Sequence, residues 1–176
     1  MLFGVEDVVA SGTVLIAVGP FSFRVYDVAD PTNPVEVGRH ILIRVWPGTW
    51  LLDPEWPLPD FVRLGTPVRR STVFDGVRLV VGDHQDVVAF DIMDGEVEGA
   101  PESLEVSGVV AGMILHAGLI YTADPTDRGG LVLTAAPGAL AEAGVHDLES
   151  AVDNVVTQDA RVFRRTPWGL EVASFE

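Results

Sequence analysis

The chain has 176 residues, with 11 basic and 26 acidic side chains, a formal net charge of −15 at pH 7 and a pI near 4.4. All the basic residues are arginine, and lysine and cysteine are both absent. That removes Schiff-base and phosphate-loop lysines, thiol nucleophiles, disulfides, cysteine-zinc sites and iron–sulfur clusters. The acidic balance disfavours nucleic acid and anionic membrane surfaces. Apolar runs stop after about six or seven residues, far below the roughly 20 that a membrane helix needs. With 48% hydrophobic and 21% charged residues, one globular domain is expected. The N-terminal MLFGVEDVVASG has neither the basic region nor the apolar run of a signal peptide, so the cytoplasm is the default location.

In chain order, four segments share one grammar of turn, strand, loop and strand. The first is GTVLIAVGPFSFRVYDVADPTNPVEVG (12–38). A Trp/Pro-rich stretch, 46–67, interrupts the pattern before the second, GVRLVVGDHQDVVAFDIMDGEVEG (76–99). The third is GLIYTADPTDRGGLVLTAAPGALAEAG (118–144), whose end overlaps the one helical pattern in the chain, 138–152. The fourth is ARVFRRTPWGLEVASFE (160–176). The turn residues Gly12, Gly76, Gly118 and Ala160 lie 64, 42 and 42 residues apart, and the strand ends Asp27, Asp91, Thr134 and Ala173 lie 64, 43 and 39 apart. A period near 42 with about 22 extra residues in the first interval accounts for both series. Periods of about 40–45 with four short strands per unit mark β-propeller blades. An all-β, propeller-like domain over 1–176 is therefore expected, with repeats at about 5–45, 68–108, 109–150 and 151–176 and an insertion at 46–67.

The first repeat is specific enough to carry a resemblance. Val25, Asp27, Val28, Asp30, Pro31 and Pro34 in FRVYDVADPTNPVEVG are similar to the core of the LVIVD-type repeat, a propeller-forming unit. The match is partial in the second repeat, where DIMDGEVEG lacks both prolines. The resemblance implies a propeller scaffold and carries no activity with it. From the residues themselves, Asp-Pro and Asn-Pro make tight turns. Asp27 and Asp91, which recur at one blade position, are expected in turn or inter-blade hydrogen bonding.

The fourth repeat shows three strands in the sequence, so closure needs a further strand. A four-repeat ring completed by the N-terminus is expected, with the insertion or a second chain as the other sources. Loops between the second and third strands collect Asp83, His84, Asp86, Asp124, Asp127, Arg128, Arg165 and Trp168 at one end of the blades. Alternating aspartates in DHQD and DPTD could hold Ca²⁺, although the spacing does not match an EF-hand. His84 between two aspartates is placed to act as a base. His40, His84, His116 and His146 sit at positions that do not converge, which argues against zinc. In the insertion, Trp46, Trp50, Trp56 and Phe61 are too apolar for a free loop and offer either packing or a docking patch. These features support a non-enzymatic scaffold for protein interaction or self-association, a homo-oligomer included. The competing reading is a ligand- or metal-binding propeller, hydrolase-like, working from the loop face.

Overall fold

The computed structural model describes residues 4–19, 22–41, 43–45, 49–51, 71–124, 129–147, 154–158, 161–166 and 169–174. They form antiparallel β-sheets that follow one another along the chain. Blade 1 is the ordered sheet β1 (Asp7–Ser11), β2 (Val14–Val18), β3 (Ser22–Asp27) and β4 (Val35–Ile41). A short hairpin of β5 (Ile43–Val45) and β6 (Thr49–Leu51) follows. Blade 2 holds β7 (Ser71–Phe74), β8 (Arg78–Met93) and β9 (Glu96–Val110). Blade 3 is β10 (Gly112–His116), β11 (Leu119–Ala123), β12 (Gly129–Thr134) and β13 (Ala141–Asp147), and blade 4 shows β14 (Asn154–Gln158), β15 (Arg161–Thr166) and β16 (Gly169–Ser174).

Blade 2 has three strands by count and four by geometry. Fully extended, the 16 residues of β8 would span about 50 Å at roughly 3.3 Å each. Yet the Ile92 amide donates to the Val77 carbonyl at 2.7 Å. The chain therefore turns back on itself near residues 83–85, its first half pairing with β7 and its second with β9. The second strands begin at Val14, Arg78, Leu119 and Arg161, spaced 64, 41 and 42 residues apart, which matches the period in the sequence. A register shift also recurs between third and fourth strands, at Val25/Tyr26, Ala89/Asp91 and Val132/Leu133. Such bulges increase the local twist of a strand pair.

The turns follow from their residues. Gly12, Gly76 and Gly118 all have positive φ (59°, 114° and 78°) at the first hairpin of their blades, a conformation that costs glycine little. Asp27 accepts the Ala29 amide at 2.9 Å, and Asp30 accepts the Thr32 amide at 3.0 Å and its hydroxyl at 2.7 Å. These are the expected turn roles of the Asp-Pro segment. The helical pattern at 138–152 does not become a helix where it is described. Ala141–Asp147 is β13, paired with β12, because tertiary pairing outweighs a weak local preference with internal glycines.

Two apolar clusters join the blades. Ile16, Val18, Phe23 and Val25 of blade 1 pack on Phe74, Leu79, Val81, Val88, Phe90 and Ile92 of blade 2. Val73, Val80, Val87, Ala89, Val106 and Val110 on the opposite face of blade 2 pack on Met113, Ile120, Leu131 and Leu133 of blade 3. Blade 2 is thus buried on both faces. The inner strands adjoin in the order β1, β7, β10, β14, and among the described residues no comparable contact joins β14 to β1. The blades form an arc.

Candidate functional site

The second-to-third-strand turns lie at one end of their blades, as the register of the four hairpins requires. At that end the structure describes the side chains of two of the expected site residues, Asp86 and Asp124, and both are buried (8% and 7% exposed). Asp124 accepts the Val109 amide at 2.8 Å, so its carboxylate ties the end of β9 to blade 3. Gly108 is required beside it, because an added Cβ would come within 2.9 Å of the Asp124 carboxylate. Asp83 and His84 lie at the tip of the blade 2 hairpin and Arg165 lies in β15, with only their backbone described. Asp127, Arg128 and Trp168 lie outside the described residues, as do Trp46, Trp56 and Phe61 of the insertion, while Trp50 is in β6. Among the described residues no three His, Asp or Glu side chains gather as a metal site.

The charged cluster that the structure does assemble was not legible as a site. Arg78 is 3% exposed. It pairs with Asp91 at 2.6 Å and with Glu102 at 2.7 Å. Glu102 in turn accepts the amides of Gly138 at 2.6 Å and Leu140 at 3.1 Å from blade 3. Burial works against the charges of both Arg78 and Glu102. The hydrogen bonds between them, with those from Asp91 and the blade 3 amides, prevail, raising the arginine and holding the Glu102 carboxyl below its ordinary range. The cluster clamps blade 2 to blade 3. His40 plays a similar part between blades 1 and 2, with Nε2 2.8 Å from the Gly95 carbonyl and its ring 4.9 Å from Phe23.

A second inter-blade device repeats. The first residues of the inner strands, Asp7 and Ser71, occupy one register position. Asp7 accepts the Thr72 amide at 2.9 Å and the Thr72 hydroxyl at 2.6 Å, and Ser71 accepts the Met113 amide at 2.7 Å. Blades 1 and 2 therefore each offer a side-chain acceptor to the second amide of the next blade's inner strand.

The face of blade 1 turned away from blade 2 has no blade upon it among the described residues. Register places Val8, Ala10, Leu15, Ala17 and Tyr26 together on that face, with Arg24 and Arg39 further out. Both arginines pair with Glu36, at 3.2 and 2.9 Å. The face of blade 2 toward blade 3 has the same composition, apolar on the inner strands with an arginine held by carboxylates. Val8 holds the position of Thr72 and Met113. Those two are 5% and 7% exposed beneath the preceding blade, whereas Val8 is 50% exposed.

No family profile matches the chain, and no curated protein matches it in sequence. Solved β-propeller structures do match. BamB from Moraxella catarrhalis, at 14% identity and a TM-score of 0.62, is matched by 96% of this chain over 42% of its own. The WD40 domain of Pan2 from Neurospora crassa gives 13% identity and 0.56, covering 91% of this chain and 41% of that one. Hsv2 from Kluyveromyces lactis gives 12% and 0.53, covering 97% and 48%. The fold is that of a β-propeller, and the chain spans less than half the length of these three.

Proposed function

We propose that the chain is a non-enzymatic propeller scaffold of the LVIVD-repeat kind that binds protein through the far face of blade 1. The observation that carries this reading is the far face of blade 1. It is built like the packed face of blade 2, yet Val8 stands 50% exposed on it. Exposed apolar groups on an otherwise blade-like face are what a protein partner covers. The insertion with Trp46, Trp50, Trp56 and Phe61 supplies the second contact surface in this reading.

The lack of native cysteine makes the test clean. A single Val8→Cys variant carrying a benzophenone-maleimide label is illuminated in solution, alone and with extract of the source cells. A Met93→Cys variant serves as the control, because Met93 is 58% exposed on an outer turn. The scaffold reading predicts discrete polypeptide adducts from position 8 and few from position 93. Equal labelling from both, or none from position 8, contradicts it.

A further inference from the structure

We infer that the Asp94–Gly95 turn is a site of spontaneous backbone modification, at which Asp94 closes to a succinimide and reopens as isoaspartate, loosening the outer seam of blades 1 and 2. This chemistry is independent of the scaffold reading.

Aspartate followed by glycine suits the reaction because glycine has no side chain to obstruct attack by its own nitrogen. The chain contains two such pairs, Asp75–Gly76 and Asp94–Gly95, and the structure sets them apart. At the first, Asp75 Oδ1 accepts the Val77 amide at 2.8 Å and the Arg78 amide at 2.7 Å. Ring closure there must break both bonds. At the second, Asp94 is exposed. Among the described residues neither its carboxylate nor the Gly95 amide is hydrogen-bonded.

The turn also gives access to the reactive geometry. Met93 pairs with Glu96, leaving a two-residue turn, and φ is positive at both residues, 52° at Asp94 and 89° at Gly95. That is a type I′ turn. Turning over the one peptide plane between the two residues changes only ψ of Asp94 and φ of Gly95. It converts the turn to type II′, the other two-residue hairpin form, with both strands left in place. The Gly95 carbonyl, 2.8 Å from His40 Nε2, stays where it is. After the flip, ψ of Asp94 is about −120°. In an L-residue that value eclipses the next nitrogen with Cβ, and rotation about χ1 brings Cγ within bonding reach. Type II′ favours glycine at this position, so the flipped turn is a minor species and the reaction is slow.

The Gly95 nitrogen adds to Cγ of the protonated carboxyl and gives up its proton, and a water molecule leaves. A second water then opens the ring. Attack at Cγ restores aspartate. Attack at the main-chain carbonyl carbon of Asp94 breaks its bond to Gly95 and leaves the chain running through Cβ and Cγ. The backbone gains one atom at a point with no slack. A Cβ on Gly38 would overlap the Gly95 carbonyl, and one on Gly95 would come within 2.8 Å of the Val37 carbonyl oxygen. Isoaspartate therefore drives Gly95 against β4 and disrupts its bond to His40.

The experiment ages the purified protein in mildly acidic buffer, folded and, in parallel, unfolded in guanidinium. Peptide mapping locates isoaspartate, with an isoaspartyl carboxyl methyltransferase as the probe. In the folded chain position 94 should react at least about ten-fold faster than position 75, because each amide bond to the Asp75 carboxylate is worth roughly that factor. In the unfolded chain the two should react at similar rates. The modified folded chain should unfold at a lower temperature than the unmodified one. Asp94→Glu, which would need a six-membered ring, should abolish the reaction at 94. Asp94→Asn, which suits the same turn and loses ammonia in place of water, should react faster through the same succinimide. Reaction at both sites in guanidinium but at neither in the folded chain would overturn the proposal. Equal rates at 94 and 75 in the folded chain would overturn the selection by the turn, and an unchanged unfolding temperature after modification would overturn the effect on the seam.

Discussion

Phe90→Ala tests whether blades 1 and 2 share a single core. Phe90 is fully buried, with its ring 5.3 Å from Phe23 of the neighbouring blade. It shares one buried cluster with Ile16, Val18 and Val25 of blade 1 and Leu79, Val81 and Val88 of blade 2. All six are strand residues held in antiparallel ladders, so the site has little room to collapse. Phe→Ala at buried sites costs about 3–5 kcal/mol, and this geometry places the expected loss near the middle, about 4 kcal/mol. For a chain of this size that corresponds to a fall in Tm of about 8–16 °C. Urea unfolding followed by circular dichroism, with Met93→Ala as an exposed control expected within about 0.5 kcal/mol, measures it. If the blades were independent beads, Phe90→Ala would split the transition and leave its second phase at the original midpoint. A loss below about 1 kcal/mol in a single transition would refute the shared core.

Further outcomes follow from the inter-blade contacts. Arg78→Ala leaves Asp91 and Glu102 facing each other at a buried seam. Because both carboxylates are about a third exposed and can partly rehydrate, the loss should be about 2–3 kcal/mol, below the roughly 3–5 of a fully buried pair. A loss under about 0.5 kcal/mol in the same titration would remove the clamp. Glu102 is held below its ordinary carboxylate value of 4.5. Its contribution is therefore present above that pH and is lost as pH falls through the lowered folded-state value. Acid titration of stability should show a steeper fall below about pH 4.5 in the unaltered protein than in Glu102→Gln, and identical profiles would contradict the assignment. At Gly38 an added Cβ would overlap the Gly95 carbonyl. Gly38→Ala should therefore cost about 1–3 kcal/mol by forcing the outer strands apart, measured by thermal unfolding, and a neutral result would place that approach elsewhere.

Much of the architecture was legible because it repeats. The glycines at 12, 76 and 118 mark the same left-handed turn three times, and a period visible in turn residues reappears in the strand starts. The Asp-Pro motif was legible because its bonds span two residues. Long-range polarity was not. Arg78 sits among valines and leucines in GVRLVVG and finds its acids 13 and 24 residues downstream, so no local spacing announces it. His40 finds its acceptor 55 residues away. Asp86 and Asp124 sit in turn sequences that favour exposure, yet both are buried. The 138–152 segment misled because alanine and glutamate suit a helix, whereas its fate is decided by the free edge of β12. The inner-strand bond becomes visible only when register aligns Asp7 with Ser71, residues of two different kinds.

The central claim is that the far face of blade 1 is a protein-binding surface. Photo-crosslinking from Val8→Cys tests this most directly, with Met93→Cys as the exposed control. The account predicts discrete polypeptide adducts from position 8 and few from position 93. Equal labelling from both positions, or none from position 8, would contradict it.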